Sequence, residues 1–200
     1  MKRLFVLVLS ALLTISLCAV FASAAETNVA AGKTYTYTGA YTDPSSGQVS
    51  WPDTDNKELT DGIFASKDTD VSYGLAMWVG MNQNGAGVVP NSGTVEIVVD
   101  LGSTVSGITK FTMNTLQMGG PAIGAPKEVK VSVSTDNQNF TNVGNMTITK
   151  TIAKPGEGDK GKDDGIYDCT LSSTEKSARY VKFTAKLSSA WLFVSEVGVY

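Results

Sequence analysis

Residues 127–134 alternate without interruption: Val129, Val131 and Val133 fall on one side, Glu128, Lys130, Ser132 and Ser134 on the other. Successive side chains of an extended strand point to opposite faces, so this period of two specifies a half-buried strand and not a helix. Residues 94–101 repeat the pattern, with Val95, Ile97, Val99 and Leu101 on one face and Thr94, Glu96, Val98 and Asp100 on the other, until Gly102 breaks the run. Residues 108–118 form a second, less regular strand. Residues 179–185 alternate through Val181 and Phe183, and residues 191–200 close the chain. Residues 28–41 are rich in Thr and Tyr, with Tyr35, Tyr37 and Tyr41 spaced for an extended segment. Glycine, proline and Asx clusters at 43–47, 82–87, 119–121 and 136–139 punctuate these runs as turns. No helical stripe is sustained anywhere. The pattern predicts an antiparallel β-sandwich or barrel.

The first 24 residues read as a secretory signal. Lys2 and Arg3 precede an apolar run broken only by Ser10, Thr14 and Ser16, and Ala22-Ser23-Ala24 is an A-x-A cleavage site. The run is short for a bilayer-spanning anchor, so no transmembrane segment is expected after cleavage. Leu17 before Cys18 fits lipoprotein processing poorly. Residues 25–200 then form one domain, in which no internal repeat is evident.

Charge and missing residue types narrow the chemistry. With the leader removed, 14 basic residues face 19 acidic ones, a net charge of −5. An anionic chain with no basic stripe is not a nucleic-acid binder. There is no histidine, which removes His-bound zinc, Ser-His-Asp and Cys-His chemistry, and the commonest general base near neutral pH. Cys169 has no partner once Cys18 leaves, so it reads as a partly buried thiol. The closest carboxylate pairs, Asp53/Asp55 and Asp163/Asp164, lie in polar loops and read as solvated turns; nothing here predicts an enzyme. Residues 150–168, crowded with charge and glycine, read as a solvated hairpin tip.

One stretch, residues 58–66, packs a carboxylate, a turn glycine and a hydroxyl close together. Asp61-Gly62 is a tight-turn dipeptide, and such a turn aims carbonyls and a carboxylate at one point, as calcium requires. A plain turn has the same sequence.

Seven motifs then follow in order: Asn28-Val29-Ala30-Ala31-Gly32-Lys33, Leu59-Thr60-Asp61-Gly62, Trp78-Val79-Gly80, residues 95–102, residues 131–140, Ala178-Arg179-Tyr180-Val181-Lys182-Phe183 and Glu196-Val197-Gly198-Val199-Tyr200. This series resembles the F5/8 type C (discoidin) domain family and its relatives, the family 32 carbohydrate-binding modules. The resemblance implies an all-β chain folded as an antiparallel jelly-roll β-sandwich of the galactose-binding-domain-like kind, with eight strands and ligand loops at one end. It also implies a structural calcium ion (Ca2+). Carried over residue by residue, its ligands are the Glu58 carbonyl, the Asp61 side chain, the Ile63 carbonyl, the Ser66 hydroxyl, the Ser195 carbonyl and the Glu196 side chain. The lone Cys169 cannot make the disulfide of many animal relatives, which points to the bacterial branch.

Such a module is expected to be secreted, to be non-catalytic and to bind a glycan or glycoconjugate. The alternative is a cell-surface adhesion or protein-interaction domain, contacting protein or cell wall, with no sugar pocket. Sugars need an aromatic face and polar partners. The candidates are Tyr41, Trp51 and Trp191, with Asn82, Gln83, Asn114 and Gln117. Trp78 reads as core, and Trp51, in a Pro/Asp loop, as the best exposed aromatic. His and Arg, common in the family's sugar sites, are absent or, as Arg179, placed within a strand.

Overall fold

The computed structural model describes residues 26–154 and 162–200. The leader, with its cleavage site, and residues 155–161 of the charged tip lie outside the described residues. Ten strands follow in order: β1 (Thr34–Tyr37), β2 (Tyr41–Thr42), β3 (Val49–Ser50), β4 (Val79–Asn82), β5 (Thr94–Gln117), β6 (Glu128–Ser134), β7 (Thr141–Asn145), β8 (Thr147–Ala153), β9 (Gly165–Lys186) and β10 (Trp191–Val199). Among the described residues the one helical piece is a 3-10 turn, Asp68–Asp70.

Two strands carry the architecture. β5 has 24 residues and β9 has 22, against about 5–6 for an ordinary strand. They pair antiparallel along their whole length, from Thr94↔Lys186 to Gln117↔Gly165. The register shifts three times between Asp100 and Lys110, where Gly102 and Gly107 take φ of +87° and +79°. Those positive angles are open to glycine and costly for other residues, so the ladder turns there and continues. Gly102 therefore does not end the strand, as its sequence context suggests; it bends it.

The bend divides one hydrogen-bonded system into two facing sheets. The first half of β5 and the last half of β9 pair with β1, β6 and, through β6, β7. The other halves pair with β8, β10 and, through β10, β4. All pairs are antiparallel, and β2–β3 is a separate small ribbon. The fold is an all-β antiparallel sandwich. The charged segment is also shorter than its composition suggests, because the β8–β9 ladder reaches Ala153↔Gly165.

Alternation becomes core in visible rows. Val95, Ala185 and Val129 align across β5, β9 and β6, as do Ile97, Phe183 and Val131, and then Val99, Val181 and Val133. These meet Phe111, Met113, Leu192, Val194, Val197 and Val199 of the opposite sheet in one buried cluster. A second cluster lies on the outer face of the β4–β10–β5 sheet, where Leu116, Ile166 and Phe193 are covered by Ala65, Val71 and Trp78. Trp78 is core, as its sequence context predicts, and its indole N–H donates to the Asp70 carbonyl at 3.1 Å.

Phe183→Ala should destabilise the domain by about 3–5 kcal/mol in chemical denaturation, because it opens a cavity in the middle row. Cys169 is fully buried, and burial first, then the Asp168 charge, pushes its thiol up to about 12. A thiol reagent at pH 8 should label the native chain far more slowly than the chain in denaturant. Because the folded value lies above the unfolded one, this group's stabilisation is complete below pH 9 and disappears as pH rises through about 12.

Candidate functional site

An aromatic cluster forms on the strand ends and loops at one edge of the sandwich. Trp191 opens β10 opposite Asn82, the last residue of β4. Tyr41 opens β2, and Trp51 follows β3 directly. Their rings run in a line. Tyr41 meets Trp191 at 5.6 Å and 84°, Trp191 meets Trp51 at 4.8 Å and 80°, and Trp51 meets Tyr73 at 6.1 Å and 81°. These edge-to-face pairings are the ones the ring quadrupoles favour. Phe193, fully buried, supports Trp51 and Trp191 from below.

Trp51 is held in this position against a local preference. Its φ of +47° lies in the left-handed region, which bulky residues occupy at a cost of order 1–3 kcal/mol. Its carbonyl accepts the Gly80 N–H at 2.9 Å, and a Cβ on Gly80 would stand 2.9 Å from the Trp51 Cβ and 3.1 Å from the Phe193 ring. The missing side chain at Gly80 is what lets the indole lie across β4. Tyr73, 42 % exposed, completes the line. Sequence reasoning passed over it because a lone tyrosine in a Ser-Tyr-Gly loop gives no spacing signal.

A polar hollow of about 450 Å³ lies nearby, lined by Gln83, Asn84, Asn91, Ser188 and Ser189, with Lys127 and Lys186. The Gln83 N–H donates to the Ala190 carbonyl at 3.1 Å, so the hollow's wall is tied to the residue before Trp191. Asn82 is buried, and its Oδ1 accepts the Asn84 N–H at 2.8 Å.

Two of the expected ligand residues do not join this group. Asn114 is buried, and both ends of its amide are engaged: Oδ1 accepts the Ser195 hydroxyl at 2.6 Å and the Ala65 N–H at 3.2 Å, while Nδ2 donates to Asp168 at 2.6 Å. Gln117 accepts the Ala125 N–H at 3.2 Å. Both amides stitch loops onto β5. The Asn114 amide is thereby committed at both ends, and Gln117 through its Oε1.

Two of the expected calcium ligands, Ser195 and Glu196, lie at a β-bulge in β10, where the register shifts between Val194 and Glu196 and one extra residue, Ser195, is accommodated. The Val197 N–H donates to the Leu59 carbonyl at 2.9 Å, and the Gly62 N–H donates to Glu196 Oε2 at 3.1 Å. Glu196 Oε1 accepts the Asn28 amide at 3.3 Å. Asp61 is exposed and accepts the Ile63 N–H at 2.8 Å, while the Ser66 N–H goes to Asp70. Glu196 is fully buried, and burial first, then the Asp61 charge, pushes its carboxyl up to about 8. Among the described residues no ion pair reaches it. A buried acid beside a second acid, facing only an N–H and an amide, is a donor set that a hard cation fits.

The carboxylate pairs read as solvated turns are not both solvated. Asp53 is half-buried and accepts the Tyr35 hydroxyl and, at 3.1 Å, the Lys57 N–H. Burial first, then the adjoining Glu58 carboxyl, pushes it up to about 6. Burial alone would raise Glu58 too, but bonds from Asp53 and Thr54 outweigh it and hold that carboxyl at about 2. Asp164 is also buried and accepts the Gly119 N–H at 2.8 Å. Both aspartates clamp loops through partners distant in sequence, Tyr35 of β1 for Asp53 and the turn residue Gly119 for Asp164, and alternation patterns do not show such partners.

Gly80→Ala is expected to overpack the Trp51 seat, to cost about 1–3 kcal/mol in chemical denaturation and to shift the tryptophan emission. An unchanged spectrum would mean that Gly80 does not set the indole's position.

The F5/8 type C domain family matches residues 76–197, well over half of the chain. Among solved structures, the chain is similar to chitosan-binding module 1 of a chitosanase/glucanase from Paenibacillus sp. IK-5, with 19% identity over 88% of this chain and 99% of that one and a TM-score of 0.48. It is also similar to CpGH89CBM32-5 from Clostridium perfringens, in complex with GalNAc-β-1,3-galactose, with 20% identity over 84% and 94% and a TM-score of 0.47. A third is chitosan-binding module 2 from the same Paenibacillus enzyme, in complex with chitotriose, with 19% identity over 86% and 99% and a TM-score of 0.45. No curated protein matches the sequence.

Proposed function

The chain belongs to the F5/8 type C domain family, and we propose that it is a secreted, non-catalytic module that binds carbohydrate through the Tyr41–Trp191–Trp51–Tyr73 line. The observation that carries this reading is the juxtaposition of that line with the amide- and hydroxyl-lined hollow beyond Gln83. A pyranose has one face of C–H groups and a rim of hydroxyls, so it needs an apolar platform and convergent polar groups side by side. The strain kept at Trp51 supports the same reading, because backbone strain persists where the surroundings hold it in place and clusters at functional positions. Binding to immobilised glycans should fall at least tenfold in Trp51→Ala while the fold, followed by circular dichroism, survives. Absence of binding to any glycan by the parent chain would overturn the assignment.

Calcium is the second part of the proposal. The Glu58, Ile63 and Ser195 carbonyls, the Ser66 hydroxyl, Asp61 and Glu196 would hold it. Its charge would supply the counterion that buried Glu196 otherwise lacks, so its role is structural. Calcium at a hundred times its dissociation constant should stabilise the parent by about 2.7 kcal/mol, visible as a rise in Tm. A chelator should reverse the gain. Glu196→Ala should lose most of it, and an equal rise in that variant would place the stabilising ion elsewhere.

A further inference from the structure

A third group of carboxylates has no role in either arrangement. One oxygen each from Asp53, Asp55 and Glu58 lies within 4.8 Å of the others. Acidic clusters are common on surfaces, and this one would mean little if Glu58 were not where it is. Glu58 is only 8 % exposed. Its Oε1 is committed to the Thr54 N–H and hydroxyl. With Asp53 ionised, its Oε2 is buried and has no hydrogen-bond partner. A buried carboxylate oxygen left unpaired is among the costlier defects a folded chain can carry, and this one belongs to a carboxylate turned towards two others.

The positive charge nearby is insufficient. Lys57 Nζ stands 3.6 Å from Asp55, but both side chains are largely solvated, and the ammonium pairs with the outermost member of the three. Tyr35 gives its hydroxyl proton to Asp53, and the Leu59 N–H in turn donates to the Tyr35 oxygen at 3.2 Å, so the inner side of the group is rigid. Outward, Asp55 and Glu58 border a hollow of about 310 Å³ that also meets Thr54, Asp61 and Met77, which gives an ion a path from solvent.

We propose that Asp53, Asp55 and Glu58 form a cation site of their own, separate from the Asp61–Glu196 arrangement, which takes a hard divalent ion of calcium's size and anchors the loop that presents Trp51. All-oxygen, carboxylate-rich ligation selects hard cations over zinc or copper. Three oxygens within 4.8 Å of one another can share one ion, and calcium accepts irregular carboxylate geometry where magnesium demands a near-ideal octahedron. Asp53 is two residues from Trp51, so an ion shared by Asp53, Asp55 and Glu58 closes the chain between the indole and the buried Glu58-Leu59-Thr60 segment.

Terbium, which substitutes for calcium and emits when excited through a nearby aromatic ring, reads this site directly because Tyr35 touches Asp53. In the full chain carrying Glu196→Ala, terbium excited through tyrosine should still luminesce, and calcium should quench the signal by competition. Adding Asp55→Ala should lower the apparent affinity at least tenfold. Equilibrium dialysis of the parent chain should give two calcium ions per chain, and one in Asp55→Ala, which keeps the test usable if Glu196→Ala does not fold. If the parent binds one ion and Asp55→Ala leaves that number unchanged, the group holds only a proton shared between Asp53 and Glu58, and the proposal fails. Terbium emission equally strong with and without Asp55 would overturn it as well. Neither readout involves sugar, so the result stands apart from the glycan assay.

Discussion

The β5–β9 ladder is the constraint on which the rest of this domain depends. Two strands of more than 20 residues stay hydrogen-bonded to each other while passing from one sheet into the other. A straight strand of that length would extend about 75–80 Å, at about 3.3 Å per residue. Bending at Gly102 and Gly107 lays its two halves face to face, so each sheet is already opposed to its partner when it forms. The inner faces can then bury their alternate residues against each other. The hydrophobic rows are consequences of that bend as much as causes of it.

The proposed binding surface sits where this scaffold stops repeating. The strand ends that carry Asn82 and Trp191 face β2, β3 and the loop after them, and four aromatic rings meet there with Phe193 as a floor. Such a surface needs small residues beneath it as much as large ones within it. Gly80 supplies the space, and the left-handed backbone at Trp51 uses it. The opposite kind of economy appears at the β10 bulge, where Glu196 is taken wholly out of solvent and given two neutral donors. Burying an acid in that way is costly unless a charge balances it. The same argument, applied to Glu58 and its unpaired oxygen, underlies the cation site proposed at Asp53, Asp55 and Glu58.

Legibility in the sequence followed the range of the interaction. The period-two runs at 94–101, 127–134 and 179–185 identified strands and their buried faces because alternation is a local property that survives any packing. Trp78 was recognisable as core through the family resemblance, which implies a buried aromatic after the Asp-Gly loop. Asn114 and Gln117 could not be ranked from sequence, because an amide has the same composition whether it meets a sugar or a backbone N–H, and only the loops around Ala65 and Ala125 show the backbone bonds each one makes. Tyr73 was missed, since its partner Trp51 lies 22 positions away with no periodic relation to it.

By itself the sequence determined that this chain is all-β, that it lacks the side chains for histidine-based chemistry, and that its motifs run in the order of one domain family. The first two follow from local backbone geometry and from composition, the third from resemblance to known relatives. The tertiary structure alone decided that Gly102 bends a strand instead of ending one, that Tyr41, Trp51, Tyr73 and Trp191 share a surface, and that Asp53 and Asp164 are partly or wholly withdrawn from water. Each depends on which distant segments come to lie against one another. Contact across the fold sets burial, ring geometry and the energy of a charge, and no pattern along the chain encodes that contact directly.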